Sequence, residues 1–150
     1  MLHFEGDRNL ALPPADVSIR LGDARFLVQC IPGVEKVTVA ELDRAVCTLR
    51  PGFSFVRGTL DLTIFVVESV PEVSTRLKLN SKGIGTTSEV DVALTYANSE
   101  DGTRLHWTAD ITQLGGLLKA VPQGLIKGAA QKVIEDVWVN IEVRLKEPLP

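Results

Sequence analysis

The stretch from Leu105 to Trp138 (LHWTADITQLGGLLKAVPQGLIKGAAQKVIEDVW) constrains the fold of this chain more than any other. Leu105, Trp107, Ala109 and Ile111 alternate with His106, Thr108 and Asp110, which is the period of a strand with one covered face. A Gly115-Gly116 break leads into a long apolar helix that occupies the C-terminus. From about Pro122 onward, Ile126, Ala130, Val133, Val137, Ile141 and Leu145 share one helical face. Gln131, Glu135, Asp136, Glu142 and Lys146 take the opposite one. Leu114, Leu117, Leu118 and Val121 are out of phase with that face, so a kink or a fresh helix start is expected near Pro122 and Gly124. A helix of about 25 residues would be roughly 37 Å long. A long helix after a series of strands predicts a sheet curled around it, an architecture that encloses a pocket.

Upstream elements are short. Phe4 to Leu12 reads as a first strand stopped by Pro13-Pro14. Pro14 then sits where a missing amide costs nothing, opening the brief helix PADVSIRL. Asp23 is a suitable N-cap for a second, DARFLVQCI, ended by Pro32-Gly33. Strands are expected over Val34–Leu42, Ala45–Arg50, Phe53–Val67, Val73–Leu79, Val90–Tyr96 and Thr103–Ile111. The longest carries Val56, Leu60, Leu62, Ile64 and Val66 on one side, with a bend at Gly58. Ser99-Glu100-Asp101-Gly102 makes a hairpin turn. Charged outer faces mean that each strand has one wet side, so the other must be covered. The expected class is α+β: a curved antiparallel sheet of about seven strands around the C-terminal helix, with two short helices after strand 1, in a single domain over residues 1–150.

Composition narrows the function. A chain of 150 residues with 45% hydrophobic and 23% charged positions is that of an ordinary globular protein. A formal charge of −3 and scattered Lys and Arg argue against a nucleic-acid partner. Apolar runs fall short of the roughly 20 residues that span a bilayer. The start, MLHFEGDRNLAL, has acids where a signal peptide needs an apolar core. A cytoplasmic protein is expected. Cys30 and Cys47 read as two half-buried thiols in a reducing compartment, with a bridge between them left open.

The order of elements is that of helix-grip folds. Short motifs in sequence order support this: Pro14-Ala15-Asp16-Val17, Cys30-Ile31-Pro32-Gly33-Val34, and Phe55 with Arg57-Gly58. They continue with Gly83-Ile84-Gly85, Gly102-Thr103-Arg104 and Leu125-Ile126-Lys127-Gly128-Ala129-Ala130. By these the chain resembles the SRPBCC (START/Bet v 1-like) superfamily over nearly its whole length, within the group named for the CoxG subunit of carbon monoxide dehydrogenase (CoxG-like). The resemblance implies an accessory role beside molybdenum-containing hydroxylases: holding a lipid- or quinone-like molecule, or docking the enzyme near a membrane. Longer relatives carry a C-terminal extension thought to reach the membrane. This sequence ends at Pro150, so no stable membrane anchor is expected, only peripheral contact at the inner face.

The alternation points Leu60, Leu62, Leu77, Leu79, Val92, Leu94, Leu105, Trp107 and Ala109 inward, toward Ile126, Ala129, Ala130, Val133 and Trp138. Small residues among them would leave room for an apolar ligand; the alternative is a solid core. Trp107 and Trp138 suit stacking on a planar ring. No catalytic residue, cofactor or metal site is read from the sequence. His3 and His106 lack partners at metal-ligand spacing, and Gly83-Ile84-Gly85 is a bend rather than a phosphate loop. Gly124 and Gly128 suit close packing or helix flexibility rather than a membrane dimer. Two other readings stay open. A register slip would bring Asp110 and Tyr96 into a cyclase- or hydrolase-like pocket. The outer phenylalanines Phe53, Phe55 and Phe65 could form a homodimer or partner surface on a purely structural docking subunit.

Overall fold

A computed structural model describes residues 2–52 and 57–147. Strand β1 (Leu2–Leu10) leads through Pro13 into helices α1 (Pro14–Leu21) and α2 (Ala24–Gln29). Six strands follow: β2 (Val34–Ala40), β3 (Arg44–Leu49), β4 (Leu60–Val70), β5 (Ser74–Gly83), β6 (Thr86–Ser99) and β7 (Gly102–Gly116). A 3-10 turn (Leu117–Ala120) precedes the long helix α3 (Gln123–Leu145). The seven strands form one antiparallel sheet in the order β1-β7-β6-β5-β4-β3-β2.

Local chemistry sets the boundaries. Pro14 occupies the first turn of α1, and Asp23 caps α2 by accepting from the Arg25 amide at 2.9 Å. β4 starts at Leu60, just after a positive-φ bend at Gly58; the expected strand positions 53–56 lie outside the described residues. β7 runs five residues beyond the expected end at Ile111, so Leu114 is a strand residue. It stops at Gly116, whose φ of 64° and close approach to the Gly85 carbonyl exclude a side chain. α3 starts afresh after Pro122, as the phase change predicted.

The register settles which side chains face α3. Directly paired residues share a face, so rows can be read across the sheet. One row runs Thr75, Leu94, Trp107, Gly6; the next Val66, Leu77, Val92, Ala109, Phe4. Then come Ala45, Ile64, Leu79, Val90, Ile111, Leu2 and, beyond them, Cys47, Leu62, Ser81, Ser88, Leu114. Under α3 these rows meet Ile126, Trp138, Ile141 and Leu145, all buried. Each such burial stabilises the fold by roughly 1.5–3 kcal/mol.

Candidate apolar cleft between the helix and the sheet

The two ends of the interior differ. Toward α1 and α2, the inward side chains Ile64, Thr75 and Leu105 are fully covered, and Leu94, Tyr96 and Trp107 nearly so. Polar contacts lock α3 there. The buried Arg20 guanidinium donates from Nη1 to the carbonyls of Arg144 and Leu145, both at 3.1 Å, where the helix dipole favours a cation. Asn140 Nδ2 donates to the Cys30 carbonyl at 2.9 Å, and Arg144 Nε to the Gln29 carbonyl at 3.1 Å. Tyr96 and Thr75 bond each other at 2.7 Å, and burial pushes the Tyr96 hydroxyl up to about 12.

The other end is less fully covered. Leu79, Val90 and Val92 on β5 and β6 face α3 yet are only half-buried, as are Ala130, Ile134 and Val137 above them. Leu114, Leu118 and Val121 at the margin are half-buried too. In the first turns of α3 only Ile126 is buried, while Gly124 and Gly128 are exposed and a Cβ on either would meet nothing within 4 Å. These half-buried side chains outline a candidate apolar cleft, with β5 and β6 as its floor, the N-terminal half of α3 as its roof and the well-covered residues as its inner end.

Trp107 and Trp138 form that inner end, their ring centroids 6.2 Å apart and tilted by 39°. The indole edge of Trp107 lies against β1, where a Cβ on Gly6 would stand only 3.0 Å away. Arg8 closes the flank. From its inward position on edge strand β1 it lies 5.6 Å over the Trp138 ring and pairs with Glu135 at 3.3 Å and Glu142 at 3.9 Å. A cation–π contact at such a site adds about 0.5–1 kcal/mol. Arg8 thus holds the middle of α3 against β1, a link invisible to sequence spacing because Glu135 lies 127 residues away.

Of the residues expected to line the interior, Leu62, Leu77, Leu94, Leu105, Trp107, Ala109, Ile126 and Trp138 are buried. Leu60, Leu79, Val92, Ala129, Ala130 and Val133 are half-buried. One helical position shifts: Ile134, not Val133, packs with Ala130 and Val137 against the core. Leu125, Val139 and Val143 on other sides of α3 are 55%, 54% and 56% exposed, and this scatter of apolar residues blurred the phase.

The outer face holds the remaining titratable candidates. Asp110 lies opposite His3 on that face and bonds its Nδ1, whereas Tyr96 points inward, so the sheet separates the two residues of the cyclase-like reading. His106 Nδ1 meets Asp7 at 3.0 Å, and Glu5 stands between the histidines, 3.4 Å from His3 and 3.8 Å from His106. Hydrogen bonds that His3 donates, first to Asp110 and then to Glu5, raise its pKa above 6.5. Asp110 reaches His3, and Asp7 and Glu5 reach His106, from across the β1–β7 pair, which spacing along one strand did not reveal; the His3–Glu5 contact lies within β1. Among the described residues, no group of three or more His, Cys, Asp and Glu side chains could hold a metal ion. Phe65 is half-buried on the outer face beside Arg44 and Lys78, while Phe53 and Phe55 lie outside the described residues.

The thiols of Cys30 and Cys47 are free and fully buried rather than half-buried. Desolvation raises both, Cys30 to about 12 against the opposing pull of Arg144. A surface hollow of about 200 Å³ lined by Gln29, Asn140, Val143, Arg144 and Glu147 lies beside the C-terminal end of α3, away from the cleft. Its Arg144 is already bonded to Gln29.

Comparison with known proteins agrees with this architecture. The family model for the carbon monoxide dehydrogenase CoxG subunit matches residues 6–146. The chain belongs to the CoxG family. A conserved protein from Geobacillus kaustophilus superposes with a TM-score of 0.83 at 24% identity, over 96% of this chain and 95% of that one. A START superfamily protein from Mycobacterium smegmatis gives 0.69 at 10% identity, over 96% and 97%. A protein from Thermus thermophilus gives 0.65 at 15% identity, again over 96% and 97%. These likenesses show a START/Bet v 1-like helix-grip fold. None of the curated proteins compared with the chain matches it. Among the described residues of this CoxG-family chain, no helix is long and apolar enough to cross a membrane.

Proposed function

We propose that this CoxG-family protein is a non-enzymatic carrier that holds an apolar, lipid- or quinone-like molecule between α3 and the sheet. In this reading it serves as an accessory to a carbon monoxide dehydrogenase-type molybdenum hydroxylase. One observation carries the reading: Leu79, Val90, Val92, Ala130, Ile134 and Val137 face each other across the interior and remain only half-buried. A solid core would seal them, as it seals Ile64 and Leu105. Uncovered apolar surface in a concave site favours an apolar guest. Family membership supplies the enzyme context.

Uptake of a fluorescent naphthalene-type dye tests the cleft. Val92→Phe and Ala130→Leu should each weaken uptake about tenfold by filling the space, while Val139→Ser on the exposed side of α3 should leave it unchanged. Undiminished uptake in both filled variants would overturn the reading. A purified molybdenum hydroxylase that binds the chain equally well after Val139→Ser and Phe65→Ser would argue against docking through those outer apolar positions.

A further inference from the structure

The floor of the cleft is not uniformly apolar. Ser81 pairs with Leu62 on one side and Ser88 on the other, so both serines point toward α3, and their hydroxyls bond each other. Both are half-buried, one row beyond Leu79 and Val90, toward the less covered end. The other hydroxyl pair of the interior, Thr75 with Tyr96, is 0% and 8% exposed and closed to a guest. Two hydroxyls sharing one hydrogen bond keep one free O–H and several lone pairs. No inward position in the paired rows of β3 to β7 carries a charge. The inward Arg8 of β1 is engaged by Glu135, Glu142 and the Trp138 ring.

We infer that the Ser81–Ser88 hydroxyl pair is the polar anchor of the cleft, selecting a neutral apolar molecule that presents a carbonyl or hydroxyl oxygen over a hydrocarbon or a carboxylate. The inference rests on the carrier reading above. The oxygen of the guest sits on the serine row and its apolar body runs inward over Leu79, Val90 and Val92 toward the tryptophan pair. A carboxylate finds no cation on this floor and loses its hydration without return.

The test is displacement of a bound lipophilic dye at pH 7 by naphthalene, 2-acetylnaphthalene and 2-naphthoate. Loss of one hydrogen bond corresponds to about fivefold in affinity. The ketone-to-hydrocarbon affinity ratio should therefore fall about fivefold in Ser81→Ala/Ser88→Ala. Ser88→Thr, which keeps the hydroxyl, should retain the ratio, and naphthoate should bind at least tenfold more weakly than the ketone. An unchanged ratio in the double alanine variant, or naphthoate binding tightest, would overturn the anchor and leave the carrier reading standing. If none of the three displaces the dye, or the protein takes up no dye, the carrier reading fails and the anchor with it.

Discussion

Ile84 sits in a left-handed conformation, φ 55°, beside Gly85 at φ 69°, in the two-residue turn joining β5 to β6 at the less covered end of the cleft. Two positive φ values suit a type I′ hairpin, which prefers Asn-Gly, and a β-branched residue is strained there. Ile84→Asn should therefore raise unfolding stability by about 1 kcal/mol, read from the urea midpoint. A loss would show that the contact of Ile84 with the Gly58 bend outweighs the strain. At the opposite edge, His3 supplies a pH signature. Its folded pKa is raised above 6.5, so its contribution is fully present below that value and lost as pH rises through the folded pKa. Wild type should exceed His3→Gln in stability at pH 5.5 by more than at pH 9. Equal differences at both pH values would remove the Asp110 and Glu5 contacts as the cause.

Helix α3 shows best what could be read from the sequence. Pro122 marked its start, and Ile126, Ile141 and Leu145 were placed correctly on the buried side because their spacing is regular. The middle was not legible. Apolar residues point to several sides there, and only the sheet register decides that Ile134 packs inward while Val139 stays out. The inward strand residues were read well because period-2 alternation is hard to mistake. The Ser81–Ser88 pair was missed for the same reason: two serines resemble surface polarity until pairing puts them in the row with Leu62 and Leu114. Gly128 offers a check on the roof. A Cβ there meets nothing within 4 Å, so Gly128→Ala should stabilise the protein by about 0.5–1 kcal/mol in thermal unfolding and leave dye uptake intact. Destabilisation would mean that a side chain at this exposed position meets its neighbours.

At the scale of the molecule, the sheet and α3 are joined unequally. Arg20, Asn140 and Arg144 fasten one half of the helix to α1 and α2, and Arg8 grips its middle. Among the described residues, no side-chain hydrogen bond ties residues 123–131 to the sheet. A firmly bonded end and a lightly held one fit the proposed carrier, which would have to retain and release a guest. Native mass spectrometry of the protein purified from its own source, alongside the Val92→Phe variant, tests this most directly. An apolar mass adduct is expected on the wild type, extractable into organic solvent and lost from the variant. An empty wild-type protein, or an adduct that survives when the cleft is filled, would contradict the carrier reading.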